Sequence, residues 1–177
     1  MKYLSLLIAL LAIDGHRGVI VKSKLIPETV RHGSLEVGKF EVTRAQYVAW
    51  DNAYPFPKGT EDFPANLITF AEAQGYTEWL SSLTGEKWRL PTEEEFSALG
   101  GSGNENVGSG ALKEVGSFEA KDGIYDLGGN VAEWVVTRDG KGKIAGRSAA
   151  KKEVTPEFTG FRVIREKAPP MNADKRR

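Results

Sequence analysis

The stretch Leu35-Glu36-Val37-Gly38-Lys39-Phe40-Glu41-Val42 alternates apolar and polar residues except at Gly38, the period-two pattern of a half-buried strand. Thr43 then caps a helix predicted to run through Trp50, with Ala45, Val48 and Ala49 on one face. Thr69 and Glu72 form a capping-box pair ahead of a second helix, in which Phe70, Ala73, Tyr76 or Thr77, and Leu80 recur at helical spacing and Gly85 supplies the stop. Thr92 and Glu95 open a third helix in the same way, and its acidic first turn, Glu93-Glu94-Glu95, complements the helix dipole. Gly100-Gly101 ends it. Beyond an irregular, glycine-rich stretch, Gly123–Val136 is predicted to begin as a tight loop and end as a strand. Two further short strands are expected around Lys143–Gly146 and Gly160–Arg165. Upstream, Gly18–Val21 and Leu25-Ile26 read as edge strands. Helices early and strands late indicate an α+β arrangement rather than alternating βαβ units.

A chain of 177 residues suffices for one domain with short tails. Its 24 basic and 24 acidic residues balance, so no electrostatic feature calls for nucleic acid as a partner. Twenty glycines and eight prolines favour a turn-rich fold. Cysteine is absent, which removes disulfides, thiolate metal sites and thiol nucleophiles from consideration. Met1-Lys2 precedes an apolar run from Tyr3 to Ile13, so residues 1–15 read as a signal peptide or an N-terminal apolar segment. That run is too short for a transmembrane span. As a signal it implies a secreted, periplasmic or cell-envelope protein; as a buried strand or helix it is compatible with the cytoplasm. Residues 166–177 are charged, contain Pro169-Pro170 and read as a disordered tail.

Five segments then occur in a telling order: Phe40–Tyr47, Ala73–Leu80, Arg89–Phe96, Gly123–Trp134 and Gly160–Val163. Together they resemble the formylglycine-generating enzymes, or sulfatase-modifying factors, over residues 35–165. The resemblance implies a compact C-type-lectin-like fold, with two or three helices on short antiparallel strands and much irregular loop. Trp79, Trp88, Trp134, Phe40, Phe96 and Phe161 would supply the apolar area that so few regular elements need. Arg89 and Arg162 are expected to anchor loops through their planar forks. The matching loop of relatives binds calcium; carried over, the ligands are the Asp126 and Glu133 side chains and the Gly129 and Val131 carbonyls, with Asn130 bracing the loop. A structural Ca²⁺ is therefore expected there, against the alternative that these side chains only bond loop amides.

The enzymes of this family use paired late cysteines to bind copper. The corresponding stretch, Gly146 to Thr159, is short and has none, so no copper is expected. His16 and His32 lie outside the core and do not compose an iron-binding facial set. Two classes of function remain. One is a non-catalytic binding or structural module for a protein or glycan, with Trp50, Tyr54, Phe56 and Phe63 as its surface unless they merely cover the core. The other is an oxidoreductase of the sulfatase-modifying or non-haem iron type with an altered or partner-completed site.

Overall fold

The computed structural model describes residues 16–101 and 105–166. The apolar run at residues 1–15 and the tail from 167 onward lie outside the described residues. Among the described residues thirteen elements form a mixed α+β arrangement, but the strands are not gathered late as expected: four precede the first helix and four follow the last α-helix. Strands β1 (Val19–Val21) and β2 (Lys24–Ile26) form an antiparallel hairpin. A four-stranded antiparallel sheet has the order β3-β4-β9-β5, with β3 at Thr29–His32, β4 at Leu35–Gly38, β5 at Lys87–Arg89 and β9 at Ile164–Glu166. The third sheet has the order β7-β6-β8, with β6 at Ala132–Val136, β7 at Gly142–Ala145 and β8 at Thr159–Gly160. Strands β6 and β8 run parallel; β6 and β7 are antiparallel.

Each helix begins where a threonine can cap it. Thr43, Thr69 and Thr92 accept from the backbone of Gln46, Glu72 and Glu95, whose side chains reach back to complete three capping boxes. Helix α2 (Phe70–Thr84) ends at Gly85, whose φ of 77° suits glycine. Helix α3 spans Glu93–Leu99. Helix α1 (Arg44–Val48) is shorter than expected, and its buried side chains are Arg44, Gln46 and Tyr47 rather than Ala45, Val48 and Ala49. With little more than one turn, that helix has no apolar stripe to bury; Tyr47 alone supplies its large core contact. Tyr47 stacks on Tyr76 at 5.7 Å between ring centroids, and Phe161 meets Tyr76 edge-on at 5.4 Å. Around them Val42, Leu80 and Val163 are fully buried, each such side chain stabilising the fold by about 1.5–3 kcal/mol. A smaller cluster of Val37, Leu99, Ile124, Leu127 and Ile164 lies between α3 and the four-stranded sheet.

Two expectations about strands need correction. The alternating run at 35–42 stays in its sheet only to Gly38. The strand expected at Gly160–Arg165 is two strands in different sheets, β8 and β9. Between them Phe161, Arg162 and Val163 cross the core, where Val42 N–H donates to the Phe161 carbonyl and Gly38 N–H to the Val163 carbonyl. Glu166 closes β9 opposite Lys87 and bridges the Arg89 Nε (2.6 Å) and the Lys87 Nζ (2.8 Å). Among the described residues no helix is long and apolar enough to cross a membrane.

Candidate functional site

The loop singled out for calcium is largely buried, and its Asp126, Asn130 and Glu133 side chains are hydrogen-bonded within the protein. Asp126 and Asn130 both adopt positive φ, 57° and 62°, the left-handed region that Asp and Asn tolerate better than most residues. Between them Gly129 lies so close to the Asn106 backbone that a Cβ would fall 2.8 Å from its nitrogen. Asn130 is fully buried and is the hub of the loop. Its amide nitrogen donates to Glu41 Oε2 (2.9 Å) and the Lys113 carbonyl (3.1 Å), and its oxygen accepts from Asn106 Nδ2 (3.1 Å) and Lys113 N–H (3.0 Å). Glu41 Oε1 takes the Val131 N–H at 3.0 Å. Asp126 Oδ2 accepts from Gly116 N–H at 2.7 Å.

Glu133 faces Arg162. Three hydrogen bonds of 2.6–3.0 Å join the guanidinium to both carboxylate oxygens, and the remaining donors reach the carbonyls of Gly38 (3.1 Å) and Tyr125 (3.0 Å). Every Arg162 nitrogen is thus satisfied in a side chain with 0% exposure. Three buried carboxylates, Glu41, Asp126 and Glu133, surround this one cation. Burial pushes the Glu41 carboxyl well above its ordinary value of 4.5, reinforced by the charges of Asp126 and Glu133. Burial also raises Glu133 and Asp126, against the pull of Arg162.

Of the four expected calcium ligands, the structure therefore brings the Asp126 and Glu133 carboxylates into one cluster. It also fills their centre with a guanidinium. A hard dication wants six to eight oxygens free to converge on it. Here both Glu133 oxygens are directed at Arg162, and no group of three or more His, Cys, Asp or Glu among the described residues is placed to hold a metal ion. As arranged, these residues fit a buried ion pair and not Ca²⁺. Glu41, which contributes the third carboxylate, reads in the sequence simply as the polar member of an alternating strand.

The aromatic residues at 50–63 are occupied with packing. Trp50 meets Tyr47 edge-on at 5.3 Å and lies against Gly75, where a Cβ would fall 3.1 Å from its ring. The Tyr54 hydroxyl donates to the Asn66 carbonyl at 3.0 Å, and Phe56 is tilted against Tyr54 at 6.2 Å. Phe63 lies under the Arg44 guanidinium at 5.4 Å. Each of the four is only partly exposed.

An apolar groove opens elsewhere. The stretch in which relatives carry their cysteines starts out stitched to the Asn130 loop: Ala149 N–H donates to the Asn130 carbonyl, and Gly108 N–H to the Ser148 carbonyl. It then forms one wall of a groove of roughly 370 Å³ over the face of the β7-β6-β8 sheet. Leu67, Phe70, Trp134, Ile144, Val154 and Pro156 line it, with threonines and no charged side chain. Leu67 is 57% exposed, Ile144 39% and Val154 39%; among the described residues these are three of the four exposed large hydrophobics. Trp134 is fixed by its indole N–H, which donates to the Ile68 carbonyl at 2.7 Å, and by Phe70 at 5.8 Å. Leu67 has φ of 60°, a conformation that costs an L-residue about 1–2 kcal/mol. Its N–H is tied to the Pro156 carbonyl at 2.9 Å, joining the two walls. Nothing in the sequence pattern announces this groove, because Leu67, Ile144 and Val154 come from separate segments with no shared periodicity.

Three solved structures share the architecture. PvdO from Pseudomonas aeruginosa superposes with a TM-score of 0.58 at 20% identity, over 75% of this chain and 80% of that one. CarF gives 0.60 at 18% identity, over 86% and 97%. Treponema denticola variable protein 1 gives 0.61 at 16% identity, over 85% and 94%. At such identities these likenesses concern the fold. No curated protein sequence matches the chain. The family model of the sulfatase-modifying factor enzyme 1-like domain matches residues 17–107, which include the Thr43, Thr69 and Thr92 capping boxes. The later Asn130 loop and Gly160-Phe161-Arg162 lie outside that match. Without a cysteine anywhere in its sequence, this chain cannot perform the family's cysteine-dependent chemistry. The protein belongs to the FGE-sulfatase family of sulfatase-modifying factor enzyme 1-like domains.

Proposed function

We propose that this domain is a non-catalytic binding module whose working surface is the apolar groove beside Trp134. The observation that carries this reading is the convergence of Leu67, Ile144 and Val154, all solvent-exposed, on one concave site. Contiguous exposed apolar surface costs solubility and is a mark of binding sites. Leu67 adds to the argument, since its backbone is held in a disfavoured region while its side chain remains in solvent. The buried carboxylate cluster is the other concentration of chemistry, but its groups are enclosed, Glu133 bonded to Arg162 and Glu41 and Asp126 to Asn130 and loop amides, which suits a structural role. The N-terminal apolar run supports export, and with it a role outside the cytoplasm.

A neutral solvatochromic dye such as Nile red, titrated against the folded domain, tests the reading. Saturable blue-shifted emission is expected, lost in the Leu67→Asp and Val154→Asp variants at unchanged melting temperature. Equal emission from the native and variant proteins, or none from the native one, would remove the groove as a binding site.

A further inference from the structure

Strand β7 is the outer strand of its sheet, and its register with β6 determines what it offers to solvent. The hairpin closes with Thr137 N–H donating to the Lys141 carbonyl at 2.9 Å. Because hydrogen-bonded and non-bonded pairs alternate in an antiparallel ladder, Val135↔Lys143 and Glu133↔Ala145 are the bonded pairs. Val136↔Gly142 and Trp134↔Ile144 are therefore the open ones. The N–H and C=O groups of Gly142 and Ile144 consequently point away from β6, and no described strand lies on that side. Gly142 to Ile144 are exposed. The same two residues border the groove: Ile144 lines it, and Phe70 sits where a Gly142 Cβ would be, 2.4 Å from that position.

An unpaired strand edge next to an apolar groove is the arrangement used for adding a peptide strand. Main-chain hydrogen bonds hold the peptide, and alternate side chains enter the pockets. Charge narrows the occupant further. No charged side chain lines the groove, and the charges beside β7 are already matched: Lys141 with Asp139 (2.7 Å), Lys143 with Glu93 and Arg138 with Glu94 (4.0 Å). A charged residue entering the groove would be desolvated with no counter-charge.

We propose that β7 and the groove together receive an extended, uncharged peptide segment of another protein, which pairs its backbone with Gly142 and Ile144 and inserts alternate apolar side chains over Trp134. This rests on the groove being the binding surface, and adds that the ligand is recognised through its backbone.

The probe is a capped seven-residue peptide alternating serine and leucine, titrated into ¹⁵N-labelled protein. Two further versions carry N-methyl groups, one on the leucine amides and one on the serine amides. The expected result is saturable shifts at the Gly142 and Ile144 amides and the Trp134 indole N–H. One of the methylated versions should bind at least tenfold more weakly, since only one set of amides faces β7. The Leu67→Asp variant, altered at an exposed position, should stay folded by its own spectrum and bind at least tenfold more weakly. If both methylated peptides bind as well as the parent, strand addition is wrong while the groove remains a binding site. If no peptide perturbs Trp134 and the dye does not bind either, both readings fall. If sedimentation shows a dimer whose interface protects Gly142 and Ile144, the occupant is a second copy of this chain and the proposal is overturned.

Discussion

Arg162 and Glu133 form a side-on ion pair at 2.6 Å with both side chains removed from solvent, and the two residues come from different strands and loops of the same core. Separating such partners leaves a buried charge uncompensated, which costs about 3–5 kcal/mol. Urea unfolding of Arg162→Met and of Glu133→Gln should therefore each show a loss of that size. Arg162→Lys should not recover it, because an ammonium cannot span the carboxylate and the Gly38 and Tyr125 carbonyls together. A loss under about 1 kcal/mol in all three, small against that expectation, would mean that the pair is not what holds the core.

With a guanidinium bound to both Glu133 oxygens, calcium is not expected to add to stability. Melting curves of the protein in calcium and in chelator should coincide. A ligand specific to the native state raises the melting point with its concentration, so a calcium-dependent rise abolished by Asp126→Asn would show that the loop rearranges to take the ion.

The cluster also sets a pH dependence. The Glu41 carboxyl is raised well above 4.5 by burial and then by Asp126 and Glu133, with Arg162 opposing. Between 4.5 and that raised value the folded state binds more protons than the unfolded one, so stability falls as pH rises. The contribution is complete below about pH 4.5, the ordinary value for a glutamate, and is lost as pH climbs through the folded value. Glu95 works in the opposite sense. The hydrogen bond from Arg89 lowers it, and its contribution is lost as pH drops below its ordinary range. The expected profile has a maximum on the acid side of neutrality. Glu41→Gln should flatten the descending limb and lower stability throughout, since its amide would turn an N–H towards Asn130 or Val131. An unchanged descending limb in that variant would assign the effect to another group.

Tyr76 lies at 0% exposure, and its hydroxyl has no hydrogen-bond partner among the described residues. Tyr76→Phe should stabilise the fold by about 1 kcal/mol, the lower end of the penalty for an unsatisfied buried polar group. Thermal denaturation would register the gain. A loss of stability would point to an interior water bonded to that hydroxyl.

Leu67→Gly separates stability from binding. Glycine adopts positive φ without strain, and the leucine side chain contributes little burial at 57% exposure. The variant should be as stable as the native protein or up to about 1 kcal/mol more so, while binding the dye and the peptide more weakly. A variant both less stable and fully active in binding would contradict the role given to Leu67.

Local chemistry made much of this architecture readable. The Thr43 cap, the capping boxes at Thr69 and Thr92 and the Gly85 stop locate the helices, because caps act within four residues of chain; the box that Gln46 closes on Thr43 is added by the structure. The resemblance to family segments marks Asn130 and Arg162 as braces, and each is hydrogen-bonded to distant parts of the chain. What the sequence concealed depends on long-range geometry. Glu41 meets Asn130 across 89 positions, and nothing near Glu41 announces that it will be buried. The division of 159–166 into two strands follows from Arg162 reaching into the core, which no alternation of apolar residues encodes. The groove gathers residues from four separate segments, each ordinary in isolation.

The position of β9 bears on the order in which the molecule can assemble. It is the latest of the described strands in the chain, yet it lies between β4 and β5. As the chain emerges from the ribosome, β4 and β5 have no bond to one another until residues 164–166 arrive to join them. Phe161, which meets Tyr76 edge-on in the core, arrives with that same segment. Contacts so distant in sequence form slowly, and an interrupted translation product ending before residue 160 would expose two strand edges and an open core. Such a fragment is a substrate for chaperones and proteases rather than a smaller working domain.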